Sequence, residues 1–238
     1  MNNLISQCND FIKDCGFPYA FCGGYALEMF ANKSIRTHCD VDLSIFEEDK
    51  QNLVNFILNK GWNVYEHGVE WIDGITPKVT LRPILKNDES IPQLYAVWAI
   101  KPDCSLFKIT PNLDKDNIFD CEILSHEQLN FDFIEIIFNS QKDNNFICNK
   151  DKNIIRELDK AILYSDSIPY LSPEVILFML SNPVYMDGEY YKEKSNLDFN
   201  FIAPMLPKES KEWLIYALEA AYPNGHRRIK EFKTNEFR

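Results

Sequence analysis

Two aspartates one residue apart, Asp40 and Asp42, lie in the run Asp40-Val41-Asp42-Leu43-Ser44-Ile45. In an extended strand alternate side chains share a face, so the two carboxylates point one way and Val41, Leu43 and Ile45 the other. Like charges on neighbouring same-face positions repel by about 1 kcal/mol in water and about 4 kcal/mol at a partly buried site. A strand built only for support gains nothing from such a pair. A divalent cation between the carboxylates reverses the sign, and oxygen ligands suit Mg2+, which takes one or two carboxylates together with substrate phosphates. Upstream, the apolar run Tyr19-Ala20-Phe21-Cys22 ends in Gly23-Gly24, and glycines let backbone N–H groups approach a phosphate closely. A basic connection with Lys33, Arg36 and His38 joins the two parts. A glycine pair alone is a turn, and Asp-x-Asp alone is a solvated strand end. Their combination between Tyr19 and Ile45 points to metal-assisted phosphate chemistry.

The stretch GGYALEMFANKSIRTHCDVDLSIF, residues 23–46, resembles the signature of the DNA-polymerase-beta-like nucleotidyltransferase superfamily. Within it the likeness is to the aminoglycoside/lincosamide nucleotidyltransferase-like branch, whose members read Gly-Gly-Trp-Ala-Leu followed by Thr-Arg-x-His-x-Asp-x-Asp. Ile168-Pro169-Tyr170-Leu171-Ser172-Pro173-Glu174 is similar to the branch's Gly-x-Pro-Tyr-Leu-Ala-Pro-Glu helix start. Asp198-Phe199, Pro204-x-Leu206, Trp213-Leu214 and Tyr222-Pro223 also match. The likeness covers most of the chain except residues 66–130.

The resemblance implies an α+β protein, with a nucleotidyltransferase domain over residues 1–142 and a helical C-terminal domain over residues 143–238. The first would hold a mixed β-sheet flanked by helices. The implied reaction moves a nucleoside monophosphate, AMP from ATP, to a hydroxyl of a small-molecule acceptor such as an aminoglycoside-like antibiotic, and releases pyrophosphate. Gly23 and Gly24 would contact the triphosphate, Arg36 and His38 would neutralise phosphate charge, and Asp40 and Asp42 would carry Mg2+. A third carboxylate in this superfamily sits on a neighbouring strand, where it helps hold the metal or deprotonates the attacking hydroxyl. Phe133-Ile134-Glu135-Ile136-Ile137-Phe138-Asn139 resembles the family's apolar strand with one Glu before Asn, which favours Glu135. Asp120 and Glu122 in Phe119-Asp120-Cys121-Glu122-Ile123 are the rival pair. The chain also departs from the pattern. Cys148-Asn149-Lys150-Asp151 stands where the branch has Arg-Arg-Asp, Leu177-Phe178-Met179 where it has a Lys, and His226-Arg227-Arg228 where it has His-Pro-Trp. A non-catalytic nucleotide-binding or partner-binding module, such as a toxin–antitoxin component, is the alternative.

Composition narrows the classes further. With 238 residues, 45% hydrophobic and 13% aromatic, the chain can build one large core or two small ones. No run approaches the ~18 apolar residues of a membrane helix, and the polar, acidic N-terminus is not a signal peptide. Seven scattered cysteines without Cys-x-x-Cys spacing read as free thiols of a reducing cytoplasm, and Cys22, His38 and Cys39 lack metal-ligand spacing. A net charge of −11 argues against a protein that tracks a nucleic-acid backbone. It accords with a cationic small acceptor. A monomer or weak homodimer is expected.

The candidate residues need an apolar strand before the glycines, a helix after them and a strand around the aspartates. Tyr19 to Cys22 reads as that first strand, and Leu27, Phe30 and Ala31 recur at helical spacing behind Gly24. Leu4 to Lys13 reads as a leading helix closed by Gly16. Glu47-Glu48-Asp49 opens another helix through Lys60, with Leu53, Phe56 and Ile57 inward and Gly61 as its stop. Trp62 to Tyr65, Val79 to Ile84, Leu94 to Ile100, Ile118 to Leu124 and Phe131 to Phe138 read as strands, and Asp103 to Asp116 as an irregular insertion. Ile154, Leu158, Ile162 and Leu163 predict a helix. Ser172-Pro173-Glu174 predicts another, with Ser172 as N-cap and Pro173 at the first position. Asn182 to Ser195 reads as a polar loop, and Asp198 to Leu206 and Glu209 to Tyr222 as further helices.

Overall fold

The computed structural model describes residues 3–38, 40–72, 76–182 and 189–234. Its first strand, β1 (Tyr19–Cys22), ends at Gly23, whose φ of +62° lies in the left-handed region where a side chain would be strained. The chain turns there directly into helix α2 (Gly23–Ala31), as the apolar run and the glycine pair predict. Asn32 closes that helix with a left-handed φ of 49°, which asparagine tolerates. The aspartate run becomes β2 (Asp42–Phe46), with Val41, Leu43 and Ile45 at 1% exposure or less.

Contacts divide the chain into two units, and neither is a single stretch of sequence. One holds Met1–Tyr19 and Thr37–Phe138, the other Ala20–Arg36 and Asn139–Arg238. The first unit is built on a sheet in the order β2, β8 (Phe133–Lys142), β5 (Ala96–Ile100), β3 (Asn63–Ile72), β4 (Thr76–Pro83), β7 (Phe119–Ile123), β6 (Phe107–Pro111). Every pairing from β8 to β6 is antiparallel. Helices α1 (Asn3–Ile12) and α3 (Lys50–Asn59) supply an aliphatic layer through Leu4, Ile5, Ile12, Leu53, Val54 and Ile57, all buried. Phe11 of α1 adds ring contacts with Trp62 at 4.8 Å and Phe131 at 5.7 Å. A second cluster gathers Leu81, Trp98, Ile100, Leu106 and Phe133, with Phe107 and Ile109 packed against it. Phe107 and Ile109 belong to β6, so the Asp103 to Asp116 stretch contains a strand where sequence suggests an irregular insertion. Lys108 and Pro111 give β6 the polar, proline-ended character of an edge strand, which hides its alternation.

In the second unit β12 (Ile168–Leu171) pairs parallel with β1 at Phe21↔Tyr170 and antiparallel with β11 (Ile162–Ser165). The end of β8 folds back onto β9 (Asn145–Ile147), which pairs with β10 (Ile155–Glu157). The helix expected from Ile154 to Leu163 is therefore reduced to one turn, α4 (Leu158–Ala161), between two strands. Two tight turns explain this. Asp143-Asn144 (φ 51° and 61°) and Asp166-Ser167 (φ 49° and 68°) each place two successive residues at positive φ. That is the backbone of a two-residue primed hairpin turn, and it enforces pairing on the flanking chain.

Longer helices begin at Pro173, with α5 (Pro173–Leu180), α6 (Glu189–Ile202), α7 (Lys208–Ala221) and α8 (Arg227–Thr234). Ser172 occupies the N-cap position of α5, but its hydroxyl makes no cap bond. Helix α6 takes residues 189–195 of the expected Asn182 to Ser195 loop, and positions 183–188 lie outside the described residues. Val175, Ile176, Leu177 and Phe178 of α5 are at most 2% exposed. Full burial of each such side chain contributes roughly 1.5–3 kcal/mol. Cys8, Cys15, Cys22, Cys104, Cys121 and Cys148 are free thiols, and Cys39 lies outside the described residues. Among the described residues no helix is long and apolar enough to cross a membrane.

Candidate functional site

In the first unit, Asp40, Asp42 and Glu135 each offer a carboxylate oxygen, and these oxygens all lie within 4.8 Å of one another. Two local features and one non-local feature bring them together. Period-two alternation puts Asp40 and Asp42 on one face. On β8 the same alternation sends Ile134, Ile136 and Phe138 into full burial and leaves Glu135 on the other side. The sheet then sets β8 beside the aspartates, with the Glu135 N–H donating to the Val41 carbonyl at 3.0 Å. Asp120 sits instead on β7, where its carboxylate accepts from Asn112 Nδ2 at 2.8 Å and faces Lys78 Nζ at 3.3 Å. It is Glu135, not Asp120, that joins Asp40 and Asp42.

The cluster is electrostatically costly as it stands. An ionised pair at 4.8 Å repels by about 3–4 kcal/mol at an effective dielectric of ~20. Burial first, and the Asp40 charge second, push the Glu135 carboxyl up to about 7. The Trp98 indole N–H offsets part of that rise, although it is not in hydrogen-bonding geometry. Three hard oxygen donors in this arrangement fit a divalent cation of the Mg2+ or Mn2+ kind. Next to Glu135 stands a residue that no sequence motif marks. His67 Nε2 lies 3.9 Å from Glu135 Oε1, and burial lowers the imidazole's basicity. His67 falls just past the Trp62 to Tyr65 strand as read from sequence. Extending that strand's alternation by two residues would have placed it on the face of Tyr65.

The other candidate residues are placed as follows. Gly23 and Gly24 form the first residues of α2. The Arg36 guanidinium is engaged by Asp198 through two parallel bonds, Nε to Oδ1 and Nη2 to Oδ2, both 2.9 Å. Asp198 is almost wholly buried, so this charge-assisted pair anchors the basic connection to α6. Glu28 of α2, which the sequence did not single out, holds the same connection. Its Oε1 accepts from the backbone N–H of Ile35 at 2.6 Å and of Arg36 at 3.2 Å, and from Ser34 Oγ at 3.1 Å. His38 is buried at 5% exposure.

The residues at which the chain departs from the motif it resembles have structural partners in the second unit. Lys150 Nζ donates to the Phe178 and Met179 carbonyls at 3.0 and 3.1 Å and lies over the Phe178 and Tyr222 rings. It thus serves the open carbonyl end of α5, and burial lowers its pKa to about 8. His226 Nδ1 accepts from the Arg228 N–H, so its Nε2–H donates to the Ser181 carbonyl at 3.0 Å. Arg228 is buried with its guanidinium 3.8 Å from the Phe199 ring centre and bonded to Asn196 and Glu231.

No protein-family model matches the chain, and no curated protein matches it. Solved structures align over most of its length. The solution structure of the antibiotic-resistance factor ANT(2'')-Ia is 14% identical, covering 93% of this chain and 92% of that one, with a TM-score of 0.47. Lincosamide antibiotic adenylyltransferase LnuA, with lincomycin bound, is 12% identical over 82% of this chain and 95% of its own, at a TM-score of 0.45. ANT(2'')-Ia in complex with adenylyl-2''-tobramycin is 13% identical over 98% and 97%, at 0.39. At these identities and scores the likenesses carry no functional assignment.

Proposed function

We propose that the chain is a metal-dependent nucleotidyltransferase that moves AMP from ATP to a hydroxyl of a small-molecule acceptor. The observation that carries this reading is the convergence of Asp40, Asp42 and Glu135 within 4.8 Å, in a chain whose motif resembles that superfamily. Asp40 and Asp42 would hold Mg2+, which when bound neutralises the triphosphate and stabilises the departing pyrophosphate. Gly23 and Gly24 present backbone N–H groups to phosphate at the start of α2. Arg36, oriented by Asp198, and His38 complete the phosphate-binding set. Glu135 takes the acceptor's proton as the acceptor oxygen bonds to the α-phosphorus and the bond to the pyrophosphate oxygen breaks. The sequence resemblance supports an acceptor of the aminoglycoside or lincosamide kind, and free thiols support a cytoplasmic setting. The test is calorimetry of ATP with and without Mg2+, followed by pyrophosphate release with a panel of such acceptors. Binding that strengthens with Mg2+ and release that depends on one acceptor are expected.

A second reading draws on Arg36. Its guanidinium is already committed to Asp198, which favours a non-catalytic nucleotide- or partner-binding module. ATP binding without any pyrophosphate release would select it.

A further inference from the structure

The β5–β8 register sets Trp98 opposite Glu135, and the β3–β5 register sets Tyr65 opposite Trp98. His67, two residues along the same face of β3, rises beside both. Its ring lies nearly flat on the Trp98 indole, with 4.9 Å between centroids and 19° between planes. Stacking fixes the ring plane and leaves Nε2 3.9 Å from Glu135 Oε1. Nδ1 is enclosed and has no hydrogen-bond partner among the described residues.

These facts favour a ring proton on Nε2. On Nδ1 it would be a buried donor without an acceptor, and the Nε2 lone pair would face a carboxylate. On Nε2 it faces that carboxylate as a donor. A doubly protonated ring also carries a proton there, so the Nε2–H is present in either charge state. At 3.9 Å the contact is longer than a hydrogen bond, and catalytic contacts of this kind commonly tighten when a site is loaded. We propose that His67 is the positioning residue for Glu135, its Nε2–H, held by the Trp98 stack, setting the orientation in which the carboxylate meets Asp40 and Asp42. The kinetic consequence rests on the transferase reading, whereas the contact itself does not.

Two variants separate the donor from the stack. His67→Phe keeps a ring against Trp98 and removes the donor, and His67→Gln keeps a side-chain N–H at similar reach and removes the ring. The first measurement needs no activity. In protein labelled with 15N-histidine, the signals lost in His67→Phe identify His67. They should show a protonated Nε2 and should shift in Glu135→Gln. An Nδ1–H tautomer, or signals indifferent to Glu135→Gln, would overturn the proposal. In turnover assays His67→Phe should lose about 10- to 100-fold, the size of effect that loss of an outer hydrogen-bonding partner has at metal sites. KM for ATP at saturating Mg2+ should stay unchanged, and His67→Gln should retain most of the activity. Equal losses in both variants, or none in either, would count against it. If His67→Phe fails to fold by near-UV circular dichroism, His67→Gln identifies the signals and the tautomer and Glu135→Gln shift decide alone. Wild-type protein without Mg2+-dependent ATP binding would remove the transferase reading and leave the ring-nitrogen result standing for or against His67.

Discussion

Asp40, Asp42 and Glu135 repel one another in the metal-free protein, and the repulsion sets how each substitution should behave. Asp40→Asn removes one of the converging charges. It should abolish Mg2+-dependent ATP binding while the melting temperature holds or rises slightly, and a sharp fall in melting temperature would instead make the pair structural. Glu135→Gln keeps shape but cannot take a proton. Turnover should fall roughly 10²- to 10⁴-fold, the usual contribution of a general base, while Mg2+-ATP still binds in a calorimeter. Asp120→Asn, at an exposed carboxylate held by Asn112 and Lys78, should leave turnover near wild type. Lys150 gives a pH signature of its own. Burial depresses its folded pKa to about 8 from 10.5. Between those values the unfolded chain binds more protons than the folded one, so this group's contribution to stability rises with pH. Below pH 8 both states carry the proton and the penalty of burying the charge is present in full. The melting temperature of wild type minus that of Lys150→Met should therefore climb from pH 8 to 10. Taking this difference removes the titration of groups that do not interact with Lys150, and a flat difference would show that the amine is not buried as charged.

The connection from α2 to β2 illustrates how a short element is held. Glu28 accepts from two successive backbone N–H groups near its start, and Arg36 crosses to Asp198 on α6. Neither bond is an ordinary helix or strand interaction, so both side chains contribute to the loop's conformation. Removing Arg36 would leave the Asp198 carboxylate buried without its cation. Breaking such a pair costs about 3–5 kcal/mol. Arg36→Ala should shift the urea midpoint accordingly, and Arg36→Ala with Asp198→Ala should destabilise by less than the two single changes added together. Weakened ATP binding with an unshifted midpoint would mean instead that Arg36 meets phosphate and leaves the loop's stability to Glu28. The same scale explains a departure from expectation in the second unit. The Ile154 to Leu163 segment has helical spacing of apolar residues, yet Asp143-Asn144 and Asp166-Ser167 adopt positive φ and the chain pairs as strands. Neither dipeptide contains the glycine that usually marks such a turn.

Over the whole molecule the excess of acidic residues should govern contact with polyanions. A protein with 36 acidic and 25 basic residues has few cations to exchange for counterions along a duplex. It should shift neither single- nor double-stranded DNA in a gel at physiological salt, and a salt-sensitive shift would reveal a basic face that the net charge conceals. Local order was legible in the chain itself. The strand, the glycine pair, the helix and the aspartate strand follow from periodicity and from glycine's tolerance of positive φ, both of which act over a few residues. Alternation alone also put Asp40 and Asp42 on one face and set Glu135 apart from its apolar neighbours. Which third carboxylate would join them was not decided there, since Asp120 lies on an equally good strand. That depended on β8 lying beside β2 and β5 in the sheet, a pairing between segments far apart in sequence. Arg36 and Asp198, 162 positions apart, and His67 against Trp98 likewise meet only after folding. Side-chain period fixes the face of a strand, but only the assembled sheet determines which faces meet.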